Sequence, residues 1–124
     1  MPELILERVD NQRFISEFTP GRLVYGQTVY QHSVWIDSEG QAQPWRPNSF
    51  KDLQLHDLEP TEHDEPYILV IGTGIKQHLL NRHQQSLLSK MGIAYEVMSS
   101  DAACRSYNMI VSDKKPVQLA LLIR

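Results

Sequence analysis

Several groups of residues in this chain have the types and spacing to do chemistry. Gly72-Thr73-Gly74 follows a short apolar run, and Lys76 stands two residues beyond it. Glycines let backbone N–H groups approach a phosphate or carboxylate closely, and a lysine supplies the countercharge, so this stretch is a candidate anion cradle. It is not a dinucleotide fingerprint, because Gln77 stands where a third glycine is needed, and it lacks the Gly-Lys-Ser/Thr ending of a P-loop. A tight turn is the simpler reading of the same residues. Further along, Asp101, Arg105, Asn108 and Ser112 recur at spacings of four, three and four. Drawn as a helix, they fall within about 60° of one another, opposite Ala103, Tyr107, Ile110 and Val111. Asp101 and Arg105 can pair at i, i+4, and Arg105 and Asn108 offer directed donors to a carboxylate, a phosphate or a partner's backbone.

Other candidates are weaker. Cys104 is the only cysteine. A position near a helix N-terminus would lower its pKa somewhat, but no histidine lies near it in sequence to serve as a base, so packing is the expected role. His56, Asp57, His63 and Asp64 match no compact zinc-ligand spacing, and a solvated loop is expected there instead. Trp35 and Trp45 could stack a ligand, yet aromatics on adjacent short strands usually pack on each other or on the core edge. No Ser-His-Asp order, HExxH pattern or carboxylate pair stands out. No catalytic residue, metal or cofactor is assigned.

The elements that must position these residues come in two halves. From Phe14 to Trp45 the chain alternates short β-branched and aromatic runs with turn formers such as Pro20-Gly21, Gly26 and Asp37–Gly40, which predicts a strand-rich layer. Residues 48–66 form a polar connection, undecided between a short helical turn and a strand around Leu53, Leu55 and Leu58. Residues 67–72 read as a central strand covered on both faces. A helix is expected from Arg82 to about Met91, with Asn81 and Gln84 as a capping box, Leu87, Leu88 and Met91 buried, and Gly92 as a left-handed cap with Ile93 reaching back to Leu88. A strand over 93–98, a helix over 99–112 and a last strand over 117–123 complete a β-α-β-α-β half. The fold class is α/β, or α+β-like, in a single compact domain covering residues 1–124.

A formal net charge of −3 argues against an electrostatic nucleic-acid surface. No apolar run approaches membrane-helix length, and Met1–Asp10 lacks the features of a secretion or transit signal, so a cytoplasmic location without membrane insertion is expected. One cysteine cannot form an internal disulfide, which suits a reducing compartment.

The runs ILVIGTG (68–74), GIAYEVM (92–98) and AACRSYN (102–108), at these separations, resemble the small α/β family that contains the mitochondrial respiratory complex I assembly factor 3. The resemblance covers nearly the whole chain, including the early strands and Trp45. Ala103–Asn108 matches the family pattern ACRTYN with Ser106 in place of threonine. Family members often carry an acidic-Gly-Arg turn before the final strand, where Asp113-Lys114-Lys115 stands here. The resemblance implies a β-rich layer joined to strand–helix units and, for function, participation in assembly of a respiratory complex through a protein partner; it implies no enzymatic activity, and bacterial members are mostly single-domain proteins.

Two functional readings follow. One is a non-enzymatic interaction or assembly protein that meets its partner through Arg105 and Asn108, with the Gly72–Gly74 turn. The other is a small-anion or phosphate site built from Gly72, Thr73, Gly74, Lys76, Arg105 and Asn108, which requires the turn and the helix face to converge. Asp101 belongs to the same face in either case.

Overall fold

The computed structural model describes residues 13–59 and 65–124. Met1–Asp10, His63 and Asp64 lie outside the described residues, as does most of the expected solvated loop.

The first half forms strands β1 (Ile15–Thr19), β2 (Arg22–Tyr25), β3 (Thr28–Tyr30), β4 (Val34–Ile36) and β5 (Ala42–Pro44). They do not make one layer. β1, β2 and β3 pair into a small antiparallel sheet, whereas β4 and β5 join the main sheet. Between them and the second half, Phe50–Asp52 and Leu55–Leu58 are short 3-10 turns, which resolves the undecided leucine segment as helical turns.

The second half forms β6 (Ile68–Gly72), α1 (Arg82–Lys90), β7 (Ala94–Met98), α2 (Ser100–Ser112) and β8 (Val117–Leu121), in the expected order. The five-stranded sheet runs β5-β4-β8-β6-β7, with β8, β6 and β7 mutually parallel, β4 antiparallel to β8, and β5 antiparallel to β4. The mixed α/β fold read from the sequence is the one observed.

The run Ile68–Gly72 is apolar throughout because both faces of β6 are covered. On one face, Leu69 and Ile71 share a core with Leu88 of α1, Ala120, Leu122, Leu58 and Trp45. On the other, Val70 joins Leu119, Leu121, Ala103 and Tyr107 of α2, and Ile15, Leu23 and Tyr25 of the small sheet. Helix α2 is therefore flanked on two sides, by the main sheet and by β1.

Helix ends follow local chemistry. The Asn81 side chain accepts from the Gln84 N–H at 2.8 Å, and the Gln84 side chain accepts from the Asn81 N–H at 2.8 Å, the reciprocal box expected. At the other end, Gly92 N–H bonds the Ser89 carbonyl and Ile93 N–H bonds the Leu88 carbonyl, a Schellman closure. One expectation fails: Met91 is 44% exposed, and Gln84 takes a buried position, because the cap turns the chain before Met91 can reach the core.

Candidate functional site

Strand β6 delivers Gly72-Thr73-Gly74 to the carboxyl end of the parallel strands, where α2 begins. The glycines are explained by what touches them. A Cβ on Gly72 would lie 2.7 Å from Leu121 Cδ1 and 2.9 Å from Ser100 Cα. Gly74 has φ +101°, and a Cβ there would overlap the Arg124 carbonyl oxygen. The turn packs against the start of α2 and the segment after β8. Its polar groups are engaged as well. Gly74 N–H donates to Ser100 Oγ at 2.8 Å, Ser100 Oγ donates to the Leu122 carbonyl at 2.6 Å, and Ser100 N–H donates to the Gly74 carbonyl at 2.8 Å. Thr73, 1% exposed, donates its hydroxyl to the Lys76 carbonyl at 2.7 Å and accepts the His78 N–H at 3.0 Å.

Beside this turn lies an open hollow of about 440 Å³, lined by Ser49, Phe50, Lys51, Thr73, Ile75, Lys76, His78 and Arg124. Thr73 and Lys76 border it; Arg105 and Asn108 do not. The turn and the helix face thus stand at different surfaces.

On α2 the expected polar stripe divides. Arg105 Nη1 donates to Asp101 Oδ2 at 2.6 Å, with both side chains about two-thirds exposed (68% and 65%). Asn108 instead turns to β1: its Nδ2 donates to the Ile15 carbonyl at 2.9 Å and its Oδ1 accepts the Ile15 N–H at 2.8 Å. The outward line continues through Met109, 66% exposed and four residues beyond Arg105. Ile75 and Leu79, in the loop that follows Gly74, are 64% and 81% exposed. These three apolar side chains were not singled out from the sequence; the 101, 105, 109 spacing was the available signal for Met109.

Inside α2, Tyr107 is fully buried. Its hydroxyl lies 3.2 Å from that of Tyr25, which donates to the Gly40 carbonyl at 2.8 Å, so Tyr107 donates to Tyr25. Arg13 Nη2 completes the chain at 3.5 Å from Tyr107. Burial holds the Tyr25 phenol well above its usual range. Cys104 is 5% exposed, and burial pushes its thiol up to about 12, with Asp101 adding to the shift and Arg105 opposing it. This reverses the direction expected from the helix N-terminus, because desolvation of a thiolate outweighs the helix field at this depth.

The two tryptophans meet edge to face, with ring centroids 5.6 Å apart. Both indole N–H groups have protein acceptors, Gln118 Oε1 at 2.7 Å for Trp35 and the Asp57 carbonyl at 2.9 Å for Trp45, so the pair is built into the core edge. Asp57 is held by Arg46, Nε to Oδ1 at 2.9 Å and Nη2 to Oδ2 at 2.6 Å, and also accepts the Gln54 N–H. The Arg46 bonds keep its carboxyl below the ordinary carboxylate range, against the opposing effect of burial.

A family model described as "Protein of unknown function (DUF498/DUF598)" matches residues 15–122. The chain belongs to that family. A relative over the full length is the "13 kDa major membrane protein" of Francisella tularensis subsp. holarctica, 26% identical over 118 residues, which cover 94% of this chain and 95% of that one. Similarity also extends to "NADH dehydrogenase [ubiquinone] 1 alpha subcomplex assembly factor 3" of Xenopus tropicalis and Danio rerio, at 31% and 34% identity over 80 residues, 63% of this chain. Those residues cover 44% and 46% of the two assembly factors, so the chain spans under half the length of either. Among solved structures, a Bordetella parapertussis protein superposes with a TM-score of 0.80 at 28% identity, over 90% of this chain and 95% of that one. The family resemblance read from ILVIGTG and AACRSYN therefore holds. No helix among the described residues is long and apolar enough to cross a membrane.

Proposed function

We propose that this protein is a non-enzymatic interaction protein of the assembly-factor kind. Its partner surface is the outer face of α2, formed by Asp101, Arg105 and Met109. The supporting observation is the exposure of Met109 one turn beyond an exposed ion pair on the same helix face, in a chain whose large apolar side chains mostly lie in two cores. An exposed Met flanked by directed charge is the composition of a surface that desolvates on binding. Asn108, engaged with Ile15, supports this surface from below and does not contact the partner.

The naming of two relatives as complex I assembly factors supports a finer reading, in which the partner is a component of a respiratory complex. A cytoplasmic location goes with it, although a full-length relative is named a membrane protein. The test is affinity capture of the tagged chain from its native host, read by mass spectrometry, beside a Met109→Asp variant of unchanged melting temperature. Wild type retains a defined partner and the variant loses it. Identical protein sets from both overturn the surface. Recovery of respiratory-complex subunits supports the finer reading; a partner from elsewhere replaces it. Retention in the membrane pellet after alkaline washing overturns the cytoplasmic placement.

A further inference from the structure

We propose that the hollow at the carboxyl end of β6 and β8 binds a small organic anion, a single carboxylate or phosphate group carried on a flat apolar body. Strands β6, β7 and β8 are parallel, and the carboxyl edge of a parallel sheet is where α/β folds leave crevices for ligands. Three separate segments meet at this edge: the 3-10 turn Phe50–Asp52, the loop after Gly74 and Arg124 following β8.

Charge identifies the occupant. Lys51 and Lys76 reach the same hollow from two segments far apart in sequence, and no Asp or Glu side chain lines it. Among the described residues, neither lysine forms an ion pair. The cations are gathered here in a chain whose formal net charge is −3, so the hollow departs from the overall balance. Like charges held together at a concave surface repel until a counter-anion arrives. The walls identify the rest of the ligand. Phe50 stacks on His78 with ring centroids 4.5 Å apart and planes 7° from parallel, and Ile75 stands 64% exposed at the edge. That stack also ties the turn carrying Lys51 to the loop carrying Lys76. Thr73 stiffens the loop from beneath through its bonds to Lys76 and His78. The site is thus largely formed in advance, and a volume of about 440 Å³ accepts a one-ring ligand.

The helix-face residues Arg105 and Asn108 play no part in this site, and the proposal does not rest on the partner surface. Its test is titration of the ¹⁵N-labelled protein with phenylphosphate, inorganic phosphate and benzylamine in parallel, on wild type and on Lys51→Gln/Lys76→Gln. The expected result is saturable shifts of the amides of residues 49–51 and 73–79 with phenylphosphate. Inorganic phosphate binds more weakly at the same amides, and benzylamine, with a ring but the opposite charge, does not bind. The double variant keeps its melting temperature and binds phenylphosphate at least about tenfold more weakly, the loss of two charge-assisted contacts. Absence of saturable shifts, shifts at other residues, equal binding by the variant, or phenylphosphate no better than inorganic phosphate overturns the proposal. Loss of the captured partner in Met109→Asp is read separately and leaves the anion site untouched.

Discussion

A serine hydroxyl has one proton to donate and lone pairs to accept with. Ser100 uses both without solvent, joining the Leu122 carbonyl to the Gly74 N–H at full burial. Ser100→Ala leaves two buried groups unpaired and is expected to cost about 2–4 kcal/mol, measured by denaturant unfolding. Asn108 and Arg105, three positions apart on α2, separate in the same measurement. Asn108→Ala loses two bonds to the Ile15 backbone and costs about 1–2 kcal/mol. Arg105→Ala removes an exposed i, i+4 pair and shifts stability by no more than about 0.5 kcal/mol. Equal losses at the two positions would contradict this division of the helix face. For Cys104, a thiol held at about 12 by burial reacts with maleimide at neutral pH only as fast as α2 opens. Labelling at the rate of a free cysteine would contradict it. The angular placement of Asn108 was legible from 100° per residue, but its partner was not: Ile15 lies 93 positions away, and only the folded chain shows that β1 covers that side of α2.

Helix α1 was legible at both ends because its capping chemistry is local, with Asn81, Gln84 and Gly92 all within two residues of the ends or one turn of them. Helix α2 ends by the same closure with a different residue. Lys114 N–H bonds the Val111 carbonyl at 2.9 Å and Lys115 N–H bonds the Ile110 carbonyl at 3.2 Å, with Lys114 at φ +60°. That is the position at which the family pattern often has glycine. A side chain in the left-handed region costs about 1–2 kcal/mol, while glycine gives back roughly 0.5–1 kcal/mol through the freedom of the unfolded chain. Lys114→Gly is therefore expected to raise stability by about 0.5–1 kcal/mol, seen as a higher melting temperature. A lower one would mean that the lysine side chain makes up for its backbone. The Gly72–Gly74 turn was less legible, since its glycines answer to Leu121, Ser100 and Arg124, residues contributed by later elements.

Across the whole molecule, the run of strands in the first half predicted β structure correctly but not its partition. The pairing of β4 with β8 is set by contacts such as Val34 with Leu121, which alternation alone cannot specify. The connection that follows is held by Arg46 on Asp57, beneath Trp45. Because the Asp57 carboxyl titrates lower in the folded chain than its unfolded value of about 3.9, its contribution is present above that value and is lost as pH falls through the folded pKa. Acid titration of unfolding free energy should therefore show a steeper loss below about pH 4 for wild type than for Asp57→Asn, which is less stable at neutral pH. Parallel curves would remove Asp57 from the acid response. The Asn108 carboxamide, finally, does to β1 what a neighbouring strand would do. It occupies the N–H and carbonyl of Ile15, which point away from β2 at the rim of the small sheet. An open rim is a template on which another chain can add a strand, and a side-chain amide that closes it works as a guard against runaway self-association. Filament or aggregate formation on mild heating of Asn108→Ala, at temperatures where wild type stays dispersed, would be its signature.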